Sequence, residues 1–259
     1  MYERLLSAYQ LVAFQETKFN KEDSLQTNEH FIHTADSGAR CFWSDTTTPV
    51  FNKRHGVGLV LSSASPFGEV DDITARAYKE QLQNRYLLLK TTLGNKRVFI
   101  HVVYAPDEPM HRGEFFRALP TQLDDDAVSE DDEDGDAMHI VLGDFNTTLD
   151  TYLDQASPSQ HHPGTGREEL CDWLDALGLV DAWRFMNPED RDFTTLGYME
   201  GEQPKRPFSG TRRIGVRVMD VQKTKQTMDS SDFVTMECEE TRLEWYENVS
   251  KARDTQKPM

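Results

Sequence analysis

The chain has 259 residues, enough for one large domain with a sizeable core, and its 37% hydrophobic and 28% charged residues describe a globular composition, neither fibrous nor membrane-like. No apolar run approaches the roughly 20 residues that span a bilayer, so no membrane partner is expected, and the opening "MYERLLSAYQLVAFQ" lacks the order of a secretory signal. A formal charge of −17 excludes a uniformly basic surface, and three cysteines without a CxxC pair argue against a disulfide framework or a zinc site, which points to a reducing compartment, nucleus or cytoplasm.

The first predicted strand is "LVAFQ" (11–15), which runs directly into Glu16, Thr17 and Lys18. "VGLVLS" (57–62), "YLLLKTTL" (86–93) and "VFIHVVY" (98–104) are further short apolar runs rich in branched residues, the last ending in Tyr104 just before a turn at Pro106. "HRGEFFRALPTQL" then sets Phe115, Phe116, Leu119 and Leu123 at roughly helical spacing, with Pro120 expected to end or kink the helix. Residues 124–136 hold nine acidic side chains and no basic one. Such a run is expected to form an irregular surface excursion, because like charges cannot be packed together without counterions.

The next strand, "HIVLGDF" (139–145), stops its apolar run at Gly143 and shows Asp144 and Asn146 on either side of Phe145. Residues i and i+2 of an extended chain share a side. Asp144 and Asn146 are therefore predicted to project together while Phe145 turns into the packing, although Asp and Asn also favour plain strand-to-loop corners. "REELCDWLDALG" reads as a helix with Leu170, Leu174 and Leu177 on one face, acids in its first turn and Gly178 as its cap. Residues 203–228 carry seven basic side chains against Asp220 alone and could face phosphate. Strand, helix and strand alternate throughout, which favours a layered α/β or α+β domain. A Glu, a Tyr, an Asp and an Asn on separate strand ends could converge on an oxygen-rich pocket of the kind Mg²⁺ prefers.

The ordered set QETK (15–18), GVGLVLS (56–62), RYLLLKTTL (85–93), VVYAP (102–106), HIVLGDFN (139–146) and LGLVDAWR (177–184) resembles the endonuclease/exonuclease/phosphatase superfamily. Within it the likeness is to exonuclease III-type nucleases and to the endonuclease domains of non-LTR retrotransposons, over about residues 3–196. The resemblance implies a four-layered α/β sandwich, two β-sheets face to face with helices outside. It also implies a phosphodiesterase site dependent on Mg²⁺ or Mn²⁺, DNA as substrate and a monomeric domain. Carried over by position, Glu16 resembles the metal-binding glutamate and Tyr104 the tyrosine that contacts the reacting phosphate. Asp144 resembles the acid that orients or deprotonates the attacking water, and Asn146 its partner in holding phosphate and water. Asp232 resembles the aspartate of the family's terminal SDH, a metal ligand beside Glu16.

Departures from the family pattern mark both ends. No strand bearing an NxxG-like asparagine precedes "LVAFQ"; the chain is expected to lack its first strand and so to leave a sheet edge open. Near the C-terminus Gly215, in "RRIGVRV", stands where the family has an aspartate that orients a histidine, and Phe233, in "SSDFVTMEC", stands where that histidine belongs. His161 and His162 are the last histidines in the chain. The expected organisation is an endonuclease-like domain over 1–196, with the acidic insertion at 124–136, followed by a degenerate C-terminal part of the same domain over 197–259. Three functions compete: an impaired Mg²⁺-dependent nuclease of retroelement origin, a non-catalytic remnant or binding module, and a phosphatase acting on inositol or lipid phosphates.

Overall fold

A computed structural model describes residues 6, 9–44, 55–77, 79–123, 137–150, 165–179 and 181, and the backbone of 233–236. Two four-stranded sheets form it. In the first, β1 (Leu11–Gln15) pairs antiparallel with β3 (Val57–Leu61), β3 with β2 (Arg40–Trp43), and β1 on its other side with β8 (Phe233–Met236), in the order β2-β3-β1-β8. In the second, the order is β4 (Asp71–Asp72), β5 (Tyr86–Leu93), β6 (Lys96–Tyr104), β7 (Met138–Asp144), antiparallel except for the parallel β6–β7 pair.

Period-2 alternation in these strands builds three hydrophobic layers. Leu11 and Ala13 of β1, Leu59 and Leu61 of β3, Leu87 and Leu89 of β5, Ile100 and Val102 of β6 and Ile140 and Leu142 of β7 fill the space between the sheets. The opposite faces of β1 and β3, through Val12, Phe14 and Val60, meet Phe31 at the end of α1 (Lys21–His30). The opposite faces of β5 to β7, through Leu88, Phe99, Val103 and Val141, pack on Phe115 and Phe116 of α2 (Pro109–Ala118) and on Leu170, Trp173 and Leu174 of α3 (Arg167–Ala176). The result is the four-layered sandwich, helix, sheet, sheet, helices.

Pro109 opens α2 at a position where its missing N–H is no loss, and the helix ends at Ala118, ahead of Pro120. Gly178, at φ 69, follows the end of α3 in the left-handed conformation expected of a cap. Sequence periodicity missed α1, because only Ser24 of its ten residues is buried; the legible signal was its capping box, Asn20 accepting from the Asp23 N–H at 2.8 Å while the Asp23 carboxylate accepts from the Asn20 N–H at 3.0 Å. The edge of β1 expected to stand open is paired instead: β8 runs along it with Leu11 opposite Met236 and Phe14 opposite Phe233. The acidic segment 124–136 lies outside the described residues, between α2 and β7 in chain order.

One polar chain crosses the layer between the second sheet and its helices. Tyr86 Oη lies 2.7 Å from His101 Nδ1, and His101 Nε2 lies 3.0 Å from His139 Nδ1. Burial holds His101 well below the ordinary histidine range, with His139 adding to the effect, and pushes His139 down to about 4. Both rings are therefore neutral in the folded protein at neutral pH. Below about pH 6.5 the unfolded chain takes up protons that the folded one excludes, so stability is full above that value and falls as pH drops, by at most about 1.4 kcal/mol per pH unit for each ring. Urea midpoints should be lower at pH 5 than at pH 7, and the difference should shrink in His139→Gln; equal midpoints at the two pH values would refute a buried neutral pair.

Candidate active site

Pairing sets the C-terminal end of β1 beside the N-terminal end of β3, and the C-terminal ends of β6 and β7 beside the N-terminal end of β5; the Tyr104–Glu16 hydrogen bond joins these two sheet ends at one end of the sandwich. All five non-glycine residues with positive φ among the described residues gather there: Glu16 (53), Lys18 (53), His55 (65), Asn84 (57) and Asn146 (50). Such backbone costs of order 1–3 kcal/mol each and persists where the surroundings over-determine it.

The kink at Glu16 decides where its carboxylate goes. Strict alternation along β1 would set Glu16 with Val12 and Phe14, facing α1. The ladder beyond Gln15↔Val57 slips by one residue instead, with the Thr17 N–H donating to Gly56 O at 3.1 Å and the Lys18 N–H to His55 O at 2.8 Å. Glu16 is the extra residue of a bulge, and bulges re-aim side chains. Its Oε1 accepts a hydrogen bond from the Tyr104 hydroxyl, and its Oε2 lies 3.2 Å from Lys18 Nζ. Tyr104 continues the phase of Val98, Ile100 and Val102 and therefore looks towards the first sheet. Burial, then the bond to Glu16, raises its phenol, so Tyr104 keeps its proton and donates.

Tyr104 and Asp144 are register partners in the parallel β6–β7 pair, and the Ala105 N–H donates to Asp144 O at 2.8 Å. Asp144 is 7% and Asn146 9% exposed, whereas Phe145 is fully buried against the outer helices. The two polar residues come together as expected, but through a turn: Asn146 is left-handed, its N–H donates to Asp144 Oδ1 at 2.9 Å, and its Nδ2 donates to Ala105 O at 2.8 Å. Extended geometry gives the right pairing for a different reason, a side-chain-closed turn after Asp144. The strand predicted over 139–145 is present as β7 and runs through Gly143 to Asp144.

Two arginines that the sequence reading did not single out brace this end. Arg85, 8% exposed, donates through Nη1 to Tyr104 O at 3.3 Å and Ala105 O at 3.2 Å, and its guanidinium carbon sits 4.9 Å from the centre of the Tyr104 ring. Its Nη2 lies 3.1 Å from His55 Nε2; a guanidinium only donates, so that nitrogen accepts. Arg112, also 8% exposed, donates through Nε to Pro106 O at 2.8 Å and through Nη2 to Asp107 O at 2.5 Å. Four successive carbonyls, 104 to 107, are thus held by two guanidiniums. A long-range partner is not legible in sequence, but each arginine stands beside a feature that was: Arg85 begins the RYLLL run and Arg112 follows the YAPDEP turn.

Among the described residues no three histidine, cysteine or acidic side chains converge as a ready-made metal cage. Asp232, Gly215, His161 and His162 lie outside the described residues, and Phe233 is described by its backbone alone.

The four-layered sandwich is a fold shared with a solved AP endonuclease. Among solved structures, the chain is similar to the AP endonuclease LMAP from Leishmania major, at 16% identity and a TM-score of 0.55, covering 73% of this chain and 64% of that one. It is also similar to an AP endonuclease from Archaeoglobus fulgidus, at 16% identity and a TM-score of 0.47, covering 74% and 70% of the two chains. In sequence it is similar to the transposon TX1 uncharacterized 149 kDa protein of Xenopus laevis, 29% identical over 120 residues, which are 46% of this chain and 8% of that protein. No protein-family model matches the sequence. The chain therefore spans less than two thirds of the Leishmania structure and a small part of the transposon protein.

Proposed function

We propose that the chain is a phosphodiesterase domain of endonuclease type, dependent on Mg²⁺, derived from a mobile element, and impaired in proton handling. The observation that carries this reading is the meeting of Glu16 and Tyr104, from opposite sheets, beside Asp144 and Asn146. The names of its structural neighbours, AP endonucleases, make DNA the first substrate to test, and the transposon relative supports the origin.

The donor set fits a hard cation. Mg²⁺ is commonly held by one or two carboxylates together with water and substrate phosphate, and Glu16 and Asp144 are carboxylates at the same sheet end, with the Glu16 side chain 39% exposed. Glu16 would hold the ion, with Asp232 as a further ligand suggested by sequence; when bound, it supplies positive charge against the phosphate oxygens. The residues of the chain do the rest. Tyr104, kept protonated, is a neutral donor towards charge developing on phosphate. Asp144 is the acceptor for a proton of the attacking water, oriented by its bond from the Asn146 N–H. Asn146, tied to Ala105 O, is fixed as its neighbour.

The test is to assay the purified chain on abasic, nicked and plain DNA and on a phosphoinositide panel, with and without Mg²⁺. A small Mg²⁺-dependent rise in thermal stability is expected, with DNA cleavage near background and further reduced by Asp144→Ala. Robust cleavage abolished by Asp144→Ala would replace impairment with an intact nuclease, and turnover confined to phosphoinositides would replace the substrate.

A further inference from the structure

Gln15 closes β1 on the face turned towards the second sheet, in phase with Leu11 and Ala13. It is 1% exposed, yet neither Nε2 nor Oε1 of its carboxamide has a hydrogen-bond partner. Ser62 Oγ and Thr91 Oγ1 are also buried without a partner, but among the described residues Gln15 is the one carboxamide with both its nitrogen and its oxygen unmet. Buried amides are ordinarily paired, and an unpaired one destabilises the fold relative to an apolar side chain of the same size. Strand β1 lies across from β6 and β7, whose ends carry Tyr104 and Asp144, and the next residue along is the re-aimed Glu16. The unmet amide is therefore buried at the site end of the sandwich, one residue before Glu16.

Resting on the phosphodiesterase reading, we infer that Gln15 is a ligand-binding residue of this site, its Nε2–H donating to a phosphate oxygen of a nucleotide-type phosphodiester. Its Oε1 accepts from water or hydroxyl on the same ligand. The amide is kept at the expense of the empty protein's stability and is satisfied on binding, a trade common at functional sites.

Gln15→Met keeps the length of the side chain and removes both polar atoms; Gln15→Leu does the same with a more compact shape. Thermal unfolding of the full chain is measured without ligand, then with Mg²⁺ and the dinucleotide TpT. Both variants should unfold about 3 °C or more above wild type when ligand-free, and Kd for TpT should weaken about tenfold or more, shrinking the ligand-induced shift. Two results overturn the inference while leaving the phosphodiesterase reading in place: lower ligand-free midpoints in both variants, which would make the amide a structural bond, or a TpT shift equal to that of wild type. Absence of any shift in wild type would overturn the phosphodiesterase reading itself.

Discussion

Gly143→Ala is expected to destabilise the protein by at least about 3 kcal/mol, the range of a severe backbone clash. The residue lies inside a parallel ladder, opposite Val103, at φ 154. A methyl group there would stand 1.9 Å from Val103 O, 2.8 Å from its carbonyl carbon and 2.9 Å from its nitrogen. No flexible side chain can give way, because every obstructing atom is backbone of the neighbouring strand. The damage would reach the site, since Tyr104 and Asp144 are the next pair in the same register. Gly94, in the turn between β5 and β6, is the control: its φ is 61, but a methyl there meets nothing within 4 Å, so Gly94→Ala should cost only about 1–2 kcal/mol, from backbone strain. Urea unfolding of the two variants beside wild type measures the contrast, and equal losses would show that the close approach of β6 and β7 is not what requires the glycine.

Restoring Gly215→Asp and Phe233→His together is expected to raise Mg²⁺-dependent DNA cleavage by about 10²- to 10⁴-fold, the usual contribution of a positioned acid-base group. Phenylalanine can neither donate nor accept a hydrogen bond, and an unoriented histidine helps little, so either change alone should recover much less. The register supports the choice of position: Phe233 pairs with Phe14, which sets the start of β8 at the same end of the sheet as Glu16. A double-mutant cycle of initial rates would read the coupling as non-additivity. Strictly additive effects, or no recovery in the double variant, would overturn the proposal that a missing imidazole and its orienting carboxylate limit cleavage.

Much of the fold is local and was therefore legible. Short apolar runs rich in branched residues located β1, β3, β5, β6 and β7, and Leu170, Leu174 and Gly178 outlined α3 with its cap, because apolar runs and capping are properties of short segments. Helix α1 escaped because its one buried side chain, Ser24, gives no apolar stripe, and β2 and β4 because short edge strands carry little pattern. The identities of Glu16, Tyr104, Asp144 and Asn146 were likewise in the sequence; their meeting was not. A bulge at Glu16 reverses the side its position in β1 predicts, and a left-handed turn brings Asn146 back to Asp144, and both depend on hydrogen bonds to strands and turns far along the chain. Arg85, Arg112 and the unmet amide of Gln15 became visible only in three dimensions, since burial and pairing belong to the folded neighbourhood and not to the residue. Sequence alone determined the periodicities, the chemical groups and their order; tertiary structure decided which backbone strains are tolerated and which side chains share a site, because those depend on contacts between residues distant in the chain.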